Sequence, residues 1–408
     1  MTSLPELGSS HPLSWAATAT ASRTTLVLVV VLMLLATSGW TAGRQLRARP
    51  DAFSASLAAW RAGSVAGRPL PEPGTAPSRV EGFFGSLTDA QATGLARRYP
   101  LTVGNLNGAP VALRYRANRI ALADAVRAER ARARSGGLTA DGQRASRRLV
   151  HRLLSLLRPG RQVLAFDPTG SGRVAEVFGD VATARRVSIV VPGVDTDLLT
   201  FERTGQPRRA PVGMARALYA AERAAGPATR TAVIAWADYT SPAGLGIDAA
   251  TGARAADGAR RLLATLGGLP RRPGATVALF CHSYGSVVCG VAADRVPRQV
   301  TDVAVAGSPG MRAEHARDLG TSARIWAMRD SGDWIADVPH LDFAGLGHGA
   351  DPVSADFGAR VLSADGAVGH AGYFEPGTTS LANFAEVGVG AVSSVSCGGG
   401  DACTAGLT

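Results

Sequence analysis

A chain of 408 residues, 46% of them hydrophobic, can bury a large core, which excludes a charge-dominated disordered polymer and suggests two or three regions. All 43 basic residues are arginine, the formal net charge is +11, and thirteen of the arginines lie between Arg114 and Arg161 against only Asp124, Glu129 and Asp141. That stretch has no interleaved aromatics and no recognised reader motif, so nucleic-acid binding is not expected; it reads as a solvated helical face that can also attract an anionic membrane surface.

The N-terminus carries an uncharged run at residues 24–42, 19 residues long, which at about 1.5 Å per residue nearly spans a bilayer core of about 30 Å. Its most apolar part, residues 26–36, has the length of a signal-peptide core, and Ala36-Thr37-Ser38 offers small residues for cleavage. Arg44, Arg47 and Arg49 follow the run and, by the positive-inside rule, oppose export of what comes after. Residues 1–43 are therefore expected to be a signal or transmembrane segment. The remainder is expected to be membrane-associated or secreted, outside the cytoplasm.

Residues 44–79 are rich in Ala, Gly and Pro and read as a linker. Residues 80–160 read as a helical, Arg-rich region. Thr88-Asp-Ala-Gln91 suggests a capped helix start, residues 121–134 are rich in Ala and Arg, and Leu149, Leu153, Leu154 and Leu157 recur at helical spacing.

From Arg161 the rhythm changes to short apolar runs at 162–166, 173–178, 187–191, 231–236, 275–280, 300–305 and 324–328. Asp167-Pro-Thr-Gly-Ser-Gly joins the first two as a hairpin, and helix-like stretches at 212–224 and 248–266 separate later ones. Apolar strands alternating with helices predict an α/β fold over 161–392, a mostly parallel doubly wound sheet with an antiparallel edge. Residues 393–408 read as a flexible tail in which Cys397 and Cys403 can close a small disulfide loop. Cys281 and Cys289 read as small buried packing residues. No Cys/His cluster suggests a metal, and no cofactor is expected.

The apolar run at 275–280 leads directly into Cys281-His282-Ser283-Tyr284-Gly285, and a helix-like stretch follows Val287. Strand, sharp turn and helix are the setting of a nucleophile elbow, with Ser283 at its tip and Cys281 where a glycine is usual. A serine nucleophile needs a base and an orienting acid, in the chain order Ser, acid, His for an α/β-hydrolase fold. Four histidines follow: His315, His340, His348 and His370. His370, after the last strand-like run at 359–362 and before a final helix, is the expected base, with His348 as its rival. Asp330 and Asp333 both follow the strand at 324–328; Asp333 is preferred as the acid, with Asp330 and Asp337 in reserve. An oxyanion hole needs the N–H of Tyr284 and a second donor after an earlier strand, for which Gly193 or Val194 in Val191-Pro-Gly-Val fits. No lid insertion stands out between residues 324 and 370, so an open site is expected.

The ordered motifs Phe83-Phe-Gly-Ser-Leu-Thr-Asp-Ala-Gln, Gly104-Asn-Leu-Asn-Gly-Ala-Pro, Val191-Pro-Gly, His282-Ser-Tyr-Gly-Ser, Gly307-Ser-Pro-Gly, His348-Gly-Ala-Asp-Pro and His370-Ala-Gly-Tyr-Phe resemble a largely actinobacterial α/β-hydrolase family known as a domain of unknown function. The resemblance covers roughly residues 80–390. It implies catalytic roles for Ser283, Asp333 and His370, and a helical N-terminal part that accompanies the hydrolase. The expected activity is hydrolysis of a lipid or cell-envelope ester through an acyl-enzyme. A non-catalytic binding module of the same fold and a secreted effector are the alternatives.

Overall fold

The computed structural model describes residues 51–134, 136–343 and 345–407. The apolar run at 24–42 and the rest of the expected leader lie outside the described residues. Among the described residues no helix is long and apolar enough to cross a membrane.

The apolar runs form eight strands: β1 (Gln162–Asp167), β2 (Arg173–Gly179), β3 (Arg186–Val191), β4 (Thr231–Ala237), β5 (Thr276–His282), β6 (Val300–Ala306), β7 (Arg324–Met328) and β8 (Arg360–Val361). They lie in one sheet in the order β1-β2-β4-β3-β5-β6-β7-β8. Strand β2 runs antiparallel to both neighbours, and every pair from β4 to β8 is parallel. The expected hairpin is therefore the antiparallel edge of an otherwise parallel sheet.

Parallel strands need crossovers, and these cover both faces. Alternate residues of β5 show the consequence. Val277, Leu279 and Cys281 join one core with α8 (Ala253–Gly267) and α9 (Tyr284–Ala292). Ala278 and Phe280 join a second core with α7 (Pro211–Ala225) and α10 (Thr379–Val389).

The N-terminal helices α1 (Ala52–Arg61), α2 (Pro77–Gly85), α3 (Asp89–Arg98), α4 (Pro100–Asn105) and α5 (Val111–Arg134) add a third cluster, while α6 (Ala140–Leu156) joins the second core through Leu153 and Leu156, and together they seal the sheet edge. The stretch read as a linker is folded from residue 52 onward. Trp60 is fully buried and donates from Nε1 to the Pro71 carbonyl at 2.6 Å. Its alanines build α1 rather than a flexible coil, because one aromatic anchor is enough to hold an Ala-rich segment against the core. The capping box at Thr88 forms as expected, with Gln91. On the free side of β1, Asn105 bonds both backbone groups of Phe166, donating at 2.7 Å and accepting at 3.0 Å, while Asn118 donates to the Val163 carbonyl at 3.0 Å. Two side-chain amides thus satisfy an edge that would otherwise be open to another strand.

The Cys397–Cys403 disulfide forms, and the tail read as flexible packs against β8: Cys403 is buried, and its carbonyl accepts from Arg360 at 2.7 Å. Cys281 and Cys289 are buried as expected, but they are bonded to each other rather than being free packing residues. The eight-residue spacing across a strand–turn–helix corner brings their β-carbons together, which sequence spacing alone does not reveal.

Candidate active site

Ser283 sits between the end of β5 and the first residue of α9 with φ +56° and ψ −129°, a conformation that a non-glycine residue adopts only when its surroundings impose it. Its N–H donates to the Ala306 carbonyl at 3.0 Å, and its carbonyl accepts from the Ser286 hydroxyl at 2.6 Å. Gly285 is required by contact: a β-carbon there would lie 2.2 Å from the Val191 carbonyl oxygen. Strand β3 and helix α9 pass that closely beneath the elbow.

His370, from the loop after β8, reaches Ser283 Oγ through Nε2 at 2.8 Å. Its Nδ1 lies 2.8 Å from Oδ1 of Asp333, which follows β7 and is buried. The carboxylate fixes the tautomer, with the proton on Nδ1 and Nε2 left to accept from the serine hydroxyl. Burial pushes the Asp333 carboxyl up, but hydrogen bonds from His370, from the Tyr373 hydroxyl at 2.5 Å and from the Ile335 N–H at 2.9 Å outweigh it and hold the group below its ordinary range. Asp333 stays ionised.

The expected oxyanion donors surround the same hydroxyl. A β-carbon on Gly193 would lie 2.6 Å from Ser283 Cβ and 3.2 Å from the Tyr284 nitrogen. Among the described residues the N–H groups of Gly193 and Val194 have no acceptor, and that of Tyr284 opens α9, where no intrahelical acceptor exists. Tyr239, fully buried and stacked on Trp236, donates to the Pro192 carbonyl at 2.7 Å and lies 3.3 Å from that of Gly193. In a trans peptide the N–H points opposite the carbonyl, so holding these carbonyls turns the Gly193 and Val194 N–H groups the other way.

The reserves lie elsewhere. His348 donates from Nε2 to the Ala249 carbonyl, 2.7 Å away, and meets the Tyr284 ring edge-on, so it walls the cleft without reaching Ser283 Oγ. His315 binds the Asp356 carbonyl and His340 faces Asp351. Asp337 is exposed. Asp330 is a positioning residue: Oδ2 accepts the Gly369 N–H at 2.8 Å and so anchors the loop that carries His370.

Three positioning residues had no separate signal in the sequence: Tyr239, Tyr373 and His282. His282 Nε2 donates to the His370 carbonyl at 2.5 Å. Burial, reinforced by His370 nearby, lowers its pKa to about 3, so its ring is neutral and serves as a fixed donor.

Two cavities meet at Ser283. One, of about 310 Å³, is walled by apolar side chains including Val194, Leu245, Ile335, Val338 and Leu341. The other, of about 480 Å³, holds His370, Thr196, Met214, Arg203 and Arg209. Trp334 borders both, its ring centroid 4.6 Å from that of His370. No lid insertion is expected from the sequence between residues 324 and 370, yet Trp334, Ile335, Val338, Leu341, Gly347 and His348 build one wall of the cleft, with a short hairpin that pairs Asp342–Phe343 with Leu346–Gly347. That wall has one-turn and two-residue elements, too short to leave a periodic pattern.

Residues 167–343 match a family model described as alpha/beta hydrolase; the match includes Ser283 and Asp333 and ends before His370. An uncharacterized protein of Mycobacterium tuberculosis is 27% identical over 380 residues, covering 79% of this chain and 57% of the relative. Another, from Mycobacterium bovis, is 32% identical over 169 residues, covering 40% of this chain and 62% of the relative. The chain thus spans a little over half the length of these curated relatives. Among solved structures, a dienelactone hydrolase from Anabaena variabilis (18% identity, 44% of this chain and 78% of that chain, TM-score 0.30) is similar in fold. So is 2,6-dihydroxy-pseudo-oxynicotine hydrolase (10% identity, 62% and 81%, TM-score 0.29). Residues 162–361 thus form an α/β-hydrolase fold, and the chain is similar in sequence to uncharacterized mycobacterial proteins.

Proposed function

We propose that the protein is a serine hydrolase that cleaves carboxylic esters through an acyl-enzyme. The observation that carries this reading is the unbroken hydrogen-bonded chain from Asp333 through His370 to Ser283 Oγ, beside backbone donors with no other acceptor. His370 Nε2 takes the hydroxyl proton as Oγ attacks the ester carbon. The resulting oxyanion is held by the N–H groups of Tyr284 and of Gly193 or Val194. Ionised Asp333 stabilises the imidazolium, which protonates the departing alkoxide. A water then gives a proton to His370 as its oxygen attacks the acyl carbon, and the Oγ–acyl bond breaks as the imidazolium returns that proton to Ser283 Oγ, releasing the acid.

Labelling with a fluorophosphonate probe tests the reading. Wild type is expected to label and to turn over p-nitrophenyl esters. Ser283→Ala is expected to lose labelling and at least about a thousandfold in kcat. A folded wild type that neither labels nor hydrolyses would leave a binding module instead. Lipid or cell-envelope esters as substrates follow from a location at the membrane, which fractionation of chains with and without residues 1–43 would test.

A further inference from the structure

We infer that the substrate is an aliphatic acyl ester whose alcohol portion carries an anionic group, with the acyl chain in the apolar cavity and the anion at Arg203 and Arg209. This deepens the hydrolase reading and rests on it.

The assignment of sides follows from where the proton must go. The leaving oxygen takes its proton from His370 Nε2, so the alcohol portion has to depart on the side of the cleft that His370 faces. His370 lines the larger cavity and is absent from the wall of the smaller one. The acyl chain therefore points the other way, into the cavity of Val194, Leu245, Ile335, Val338 and Leu341, where among the described side chains no arginine, aspartate or glutamate lines the wall. Leu245 and Leu341 remain exposed, so apolar surface continues from the nucleophile to the rim and a chain can enter along it.

The alcohol side has the opposite character. Arg203 and Arg209 both line it, no carboxylate does, and neither guanidinium forms an ion pair among the described residues. The neighbouring acids are already engaged, Glu202 by Arg152 and Arg161 and Glu375 by Arg208. Helix α7 opens at this cavity with Pro211 and Met214 in its wall, adding the positive end of its dipole. Two unpaired planar forks in a carboxylate-free cavity suit a phosphate or a carboxylate, which each can bind through paired N–H groups.

The test uses the full chain and substrates that differ only on one side. For a carboxylate, p-nitrophenyl octanoate is compared with 4-nitro-3-octanoyloxybenzoate; for a phosphate, 1-octanoylglycerol is compared with its 3-phosphate. Wild type is expected to favour one anionic ester in kcat/KM, and the pair that shows the preference identifies the anion. Arg203→Ala/Arg209→Ala, both at exposed positions, is expected to reduce that anionic-to-neutral ratio at least tenfold. On the acyl side, kcat/KM for p-nitrophenyl esters is expected to rise about threefold per methylene from acetate towards octanoate, and Leu341→Asp to flatten the series. If Ser283-dependent turnover is present but the double variant leaves both ratios within twofold, or the chain series is flat in wild type, the inference is overturned and the hydrolase reading stands. Absence of Ser283-dependent turnover on every ester overturns both.

Discussion

Gly307 shows how little room the acid–base pair has. It lies just past β6 with φ +55°, and a β-carbon there would stand 2.7 Å from Asp333 Oδ2 and 3.0 Å from His370 Nδ1. Gly307→Ala should push the imidazole off the serine rather than unfold the sheet. Because a displacement near 1 Å can cost about a hundredfold in rate, kcat is expected to fall by about that factor. The strain of an alanine at positive φ, about 1–2 kcal/mol, lowers the melting temperature by only a few degrees. Unchanged kcat would show that the loop yields freely. At this scale the meeting of Ser283, Asp333 and His370 was legible, because chain order after successive strands fixes which loops converge at one sheet edge. The supports were not. Tyr373 reaches Asp333 across 40 residues and Tyr239 reaches Pro192 across 47, and neither distance leaves a local pattern.

Elements were legible where they were long and periodic, as with the seven apolar runs that became β1 to β7. The stretch at 52–79 was misread because Ala, Gly and Pro signal turns only when nothing buries them, and Trp60 does. Cys281 is the clearest case of an imperfect motif with a physical reason. It occupies a glycine position in the elbow, yet its sulfur turns into the core to join Cys289 in α9, tying strand to helix around the strained serine. For a loop this short, closing the unfolded chain stabilises the fold by about 2–3 kcal/mol. Cys281→Ala/Cys289→Ala is expected to lose that amount in urea denaturation, while the folded fraction still labels at Ser283. Equal denaturation midpoints with and without the cysteines would show that the bond adds no stability.

Across the whole molecule, the surplus of arginine divides into different roles. Arg114 is buried, donating to the Gly104 carbonyl and to Asn107; Arg152 and Arg161 pair with Glu202 and Glu176; much of the remainder faces solvent on α5 and α6. Composition could not separate these, since the partners come from β2 and the loop before α7. The most consequential buried titratable group is an acid. Glu222 of α7 is fully buried where that helix meets β3 and α10: its carboxyl accepts from Ser188, and a β-carbon on Gly388 would lie 2.3 Å from it. Burial pushes its pKa up to about 8 against the lowering effect of Ser188, while in the unfolded chain it ionises near 4.5. The folded state therefore keeps a proton that the unfolded state releases. The stabilising contribution is complete below pH 4.5 and is lost as pH rises towards 8, by up to about 1.4 kcal/mol per pH unit. Glu222→Gln keeps the shape and removes the titration. Its stability relative to wild type, from urea unfolding at pH 5, 6, 7 and 8, is expected to improve steadily with pH. Parallel profiles for the two proteins would mean that the carboxyl does not hold its proton in the folded state, and that the junction of α7, β3 and α10 admits enough water to solvate a charge.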